Sequence, residues 1–154
     1  MVLMLLAFLM GVIAGLRAMT APAAVSWAAF FGLLNLEGTW LAFLGYRFTP
    51  SILTVLAIGE LITDQLPTTP SRKLLLPFAT RIIVGGLCGG AIAAKSGSLL
   101  GGLVAGALGG IVGTLGGAEG RARLAAAFGK DRPAALIEDS VAILGALLIV
   151  GALP

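Results

Sequence analysis

Apolar positions do not alternate with polar ones along this chain; they run together. Residues 1–16, 96–118 and 140–153 contain no acidic or basic side chain. A hydrocarbon core about 30 Å thick is crossed by a helix of about 20 apolar residues. Pro22, Pro50, Pro77 and Pro133 each open a further apolar stretch, the placement expected of proline in a first helical turn. The pattern predicts helical spans over 3–16, 22–36, 50–66, 77–94, 99–115 and 133–153. The first two are shorter than a full crossing, so they are either short crossings or a broken, re-entrant pair shielded by protein. The expected fold class is an all-α membrane protein: a small polytopic helical bundle, with 1–154 as a single transmembrane domain.

Two segments between the spans read as interfacial. Residues 37–48 (EGTWLAFLGYRF) carry Trp40 and Tyr46, whose amphipathic rings favour headgroup depth. Residues 119–132 (EGRARLAAAFGKDR) set Arg121, Arg123, Lys130 and Arg132 around a small apolar patch. Residues 40–57 and 123–142 share an outline: an aromatic, a Gly, a basic residue, then Pro and an apolar run. That outline suggests repeat halves 1–67 and 76–154, which three spans each would relate as inverted repeats with short or broken helices.

Composition sharpens this. Hydrophobic residues make up 58% and charged ones 11%, against about 25% charged in a soluble domain; the mean hydropathy is +1.07. Glycine is frequent, with 23 residues, many in rows such as Gly102/Gly106/Gly110 and Gly109/Gly113/Gly117. In water each would weaken a helix by about 1 kcal/mol relative to Ala. In lipid, small residues at every fourth position let backbones approach closely. The expected use is tight helix packing, within the chain or between copies. The lone Cys88 excludes an internal disulfide and reads as a packing residue. No histidine is present, which removes His-dependent triads and His-rich zinc sites. No basic residue precedes the first apolar run, so a cleaved signal is not expected.

Loop charges orient the bundle. With six crossings and the N-terminus outside, Arg17, Arg72, Lys73, Arg121, Arg123, Lys130 and Arg132 fall in cytoplasmic connections, as the positive-inside rule requires. Residues 65–73 then form a basic cytoplasmic turn facing anionic headgroups.

Within the spans the charged residues are few. Glu60 and Asp64 are four apart and share one helix face. Glu138 and Asp139 lie in the last span, and Arg17 and Arg81 at helix ends. At about 1.5 Å per residue, Glu60 lies near the midplane, and all six converge on the cytoplasmic half from four helices. Four carboxylates against two arginines leave surplus negative charge, which a proton or a hard cation offsets. Glu60, Asp64, Glu138 and Asp139 are therefore the candidate ion- or proton-binding residues, with Arg17 and Arg81 as electrostatic partners. Glu60, as the carboxylate expected farthest from an arginine, is the first candidate to hold the proton or cation. The competing reading makes all six a set of structural ion pairs.

GLRAMTAPAAVSWAA (15–29), GELITDQLPTTPSR (59–72), the Gly-rich helix led by Arg81 and ALIEDSVAI (135–143) together resemble a bacterial membrane-protein family catalogued as domain of unknown function 4126. The resemblance implies a small inner-membrane protein and no particular activity. A looser likeness is to cation/proton exchangers with a Glu-x-Gly-Asp motif, where this chain has Glu60-x-x-x-Asp64 and adjacent Glu138-Asp139.

The leading expectation is a multi-pass transporter or channel for a cation, proton or small solute, not an enzyme and without a cofactor. The rival is a non-transporting scaffold or assembly factor. Expected partners are the bilayer, a cation or proton, and a second copy through the Gly-rich helices. No nucleic acid is expected.

Overall fold

The computed structural model describes residues 1–66, 71 and 73–154. The element order is α1 (Val2–Leu16), α2 (Thr20–Phe30), the 3-10 helix η1 (Trp40–Gly45), α3 (Thr49–Thr63), α4 (Leu75–Ala94), α5 (Leu99–Phe128) and α6 (Asp131–Gly151). Each expected proline falls in a first turn: Pro22, Pro50, Pro77 and Pro133 are the third, second, third and third residues of their helices. There a missing N–H costs nothing, because the first four amides of a helix have no internal partner.

Three helices, α4, α5 and α6, are long and apolar enough to cross a membrane. Helices α1 and α3 are apolar but have 15 residues each. Helix α2 has 11, about 16 Å of rise, roughly half a bilayer core. The span expected over 22–36 thus stops at Phe30. The expected break at 115 is absent: α5 continues to Phe128, so most of the basic segment expected to be interfacial is the last three turns of a 30-residue helix. Gly129 ends it in the left-handed conformation, at a φ of 67°, which Gly adopts without a Cβ penalty. The loop 68–73 lies mostly outside the described residues.

Burial is reversed relative to a water-soluble bundle. Along α5, Leu100, Val104, Leu108, Val112 and Leu115 form an exposed row, while Gly102, Gly106, Gly109, Gly110 and Gly113 are buried. The same division runs along α6, with Leu144, Leu147 and Leu148 outward and Ala142, Ala146 and Ile149 inward. Lipid tails are as apolar as Leu, so such an exterior suits a bilayer, and close backbone packing holds the interior.

That packing centres on α1, α4 and α5. A Cβ on Gly11 would stand 2.1 Å from Gly106 O; on Gly89, 2.3 Å from Gly102 O; on Gly109, 2.1 Å from Phe8 O. No side chain fits at those distances. Helix α1 runs parallel to α5, and α4 runs antiparallel to it, as the order of these glycine contacts shows. Helix α3 is more loosely held: only Pro50 and Ala57 are buried within it, whereas α2 buries seven of its 11 residues. Trp27 Nε1 on α2 donates to Thr54 Oγ1 on α3 at 2.9 Å, and the Ser26 hydroxyl donates to Leu44 O on η1.

A buried charge network at one end of the bundle

The chain leaves α1 at Arg17, whose backbone is extended (φ −139°, ψ 111°), and re-enters a helix at Thr20. This break turns the Arg17 side chain into the bundle, where it is fully buried. Its guanidinium pairs with Asp64 at the end of α3 and with Asp139 on α6, and its Nη2 lies 3.8 Å from Glu138 Oε2. An arginine keeps its proton under all ordinary conditions, so Arg17 is a fixed positive charge. Three carboxylates from two helices gather on it.

Glu60 holds the other side of the break. Its two oxygens accept hydrogen bonds from the backbone amides of Ala18 and Met19, each at 2.8 Å, which satisfies free N–H groups at the start of α2. Its Oε1 also lies 3.4 Å from Arg81 Nη2 on α4. The expectation that Glu60 is the carboxylate farthest from an arginine is therefore overturned. It is a cap and an ion-pair partner at once, because the α1–α2 break brings unsatisfied amides to its depth.

All six expected residues, Glu60, Asp64, Glu138, Asp139, Arg17 and Arg81, are brought together. A seventh joins them. Arg121, expected in a cytoplasmic connection, lies on the extended part of α5 and pairs with Asp64, with Asp131 Oδ2 at 2.5 Å and with Glu138 Oε2 at 3.5 Å. The signal for it was present: Arg121 continues the buried-face row Gly109, Gly113, Gly117 at every fourth residue. Among the described residues Glu60, Asp64, Glu138 and Asp139 thus meet Arg17, Arg81 and Arg121, and Asp131, more than half exposed, sits on the rim.

Among the described residues Arg81 pairs with Glu60, while Arg17 and Arg121 face Asp64, Glu138, Asp139 and Asp131. Asp139 has Arg17 as its ion-pair partner and accepts a hydrogen bond from Gln65 Nε2 at 3.2 Å. Two buried polar groups, the Thr20 hydroxyl and the Arg17 Nε–H, have no hydrogen-bond partner among the described residues. Buried groups of that kind ordinarily bind water. Among the described residues no group of acidic or cysteine side chains has the arrangement of a metal site.

Fold and site define a class: an all-helical protein with three helices fit to span a membrane and a buried arginine–carboxylate network at one end. No family model, curated protein or solved structure matches the chain.

Proposed function

We propose that the chain is a small multi-pass protein of a bacterial inner membrane that moves a proton or a small cation. The exchange point is the Glu138–Asp139 pair on α6. The carrying observation is the fully buried Arg17 guanidinium, on which Asp64, Asp139 and Glu138 converge from two helices. Removing a charge from water into the membrane costs about 2.5–3.5 kcal/mol, so ionisable groups gathered there ordinarily face one another or the path of an ion or proton. Because arginine holds its proton, any exchange falls to the carboxylates. Helix α3, with only Pro50 and Ala57 buried and latched to the rest of the bundle by Glu60 and Asp64, supplies an element that can move against a rigid one. The resemblance of its motifs to an inner-membrane family supports the location.

The test is reconstitution into liposomes with an imposed proton or cation gradient read by an internal dye. Wild-type protein should dissipate the gradient, and Asp139→Asn should slow it by tenfold or more, roughly 1.4 kcal/mol or more on the barrier. No flux through folded wild-type protein would end this reading.

A scaffold reading has one observation in its favour: every member of the network already faces an opposite charge. On that reading Asp139→Asn changes no flux and destabilises the fold, since it takes an ion-pair partner from the buried Arg17.

A further inference from the structure

A cleft of about 720 Å³ opens between the last turn of α2, the connection 32–37 and η1. It lies at the opposite end of the α2–α3 hairpin from the charge network. Its size falls within the about 300–1,000 Å³ that holds one small organic group. Leu34 and Leu36, both buried, give it an apolar floor.

The charged part of the wall has one sign, beside the neutral Asn35 amide. Glu37 brings a carboxylate, and none of the lining residues is basic. Ala29 lies in the final turn of α2, where the helix dipole is negative. The Thr49 hydroxyl donates to Phe43 O at 2.7 Å, so toward the cleft it offers lone pairs. The rings of Phe43 and Tyr46 are half exposed there, and a ring face attracts a cation. Just outside, Trp40 and Phe48 stand exposed, as aromatic side chains do at headgroup depth. Arg47, adjacent to Tyr46 and stacked on the Phe48 ring at 5.6 Å, adds a positive charge at the rim.

We propose that this cleft seats the ammonium headgroup of a zwitterionic bilayer lipid. The amine enters toward Glu37, Phe43 and Tyr46, and the phosphate remains at the rim beside Arg47. The site rests on the membrane reading and not on flux, so a failed flux assay leaves it standing.

Native mass spectrometry of the full chain, purified in detergent and titrated with lipid, tests it. Phosphatidylethanolamine should be retained in preference to its N-acetylated form, which lacks the ammonium charge. Glu37→Gln should weaken that retention about fivefold, the size of one charge–charge contact near water. Tyr46→Leu should weaken it by a similar factor through the lost ring face. Glu37 is exposed, so its variant should melt with the wild type. Equal retention of the amine lipid and its acetylated form would overturn the proposal. So would Glu37→Gln that retains lipid like the wild type. Binding of free phosphoethanolamine as tight as that of the lipid would assign the cleft to a soluble amine and reject the lipid.

Discussion

Glu60 sits where three demands meet: two unsatisfied amides at the start of α2 and the Arg81 guanidinium on α4. A carboxylate answers all three, and an amide does not, because one of its two heavy atoms is a donor aimed at donors. Glu60→Gln is therefore expected to destabilise the protein by about 2 kcal/mol, measured by denaturant or thermal unfolding in detergent. A variant as stable as wild type would show that the cap contributes nothing. Counting residues along helices was enough to bring six charged side chains toward one half of the layer, since depth follows from rise per residue. It was not enough to pair them. Pairing depends on which way each side chain turns at the α1–α2 break, and extended backbone at a single residue, Arg17, decides that.

At the scale of elements, helix placement was largely legible and helix ends were not. The start of each proline-led span was readable to within two residues, because proline is tolerated only in the first turn. The end of α5 was missed by about four turns. The charged residues after 118 read as an interfacial segment beyond the span, but a helix that leaves the apolar layer keeps its backbone bonds and needs only polar side chains. The middle helices of the two expected repeat halves differ, α2 with 11 residues and α5 with 30. The glycines separate cleanly by consequence. A Cβ on Gly106 would meet Gly85 O at 2.1 Å, backbone that cannot yield, so Gly106→Ala should cost about 3 kcal/mol or more. On the same helix Gly116 has open space on its outer side, and Gly116→Ala should be neutral or stabilise by up to about 1 kcal/mol. Unfolding midpoints of the two variants check this, and equal effects would refute the close packing of α1, α4 and α5.

For the whole molecule, the proposed orientation puts the charge network on the cytoplasmic side and the cleft on the outer side. In a Cys88→Ala background, Ser96→Cys should react with an impermeant maleimide added outside intact cells, and Lys130→Cys should react only after permeabilisation. The reverse pattern would invert the topology. Hydropathy alone determined that this chain is helical and suited to a bilayer, because an apolar backbone segment in lipid must bond to itself. It also determined which charged residues were too costly to leave unpaired. Only the tertiary structure decided that Glu60 is a cap, that Arg121 belongs to the network, and that Arg17 gathers three carboxylates. Those outcomes rest on the angle at which helices cross and on where one of them stops. Glycine rows permit such close crossings, and contacts between residues far apart in the chain select among them.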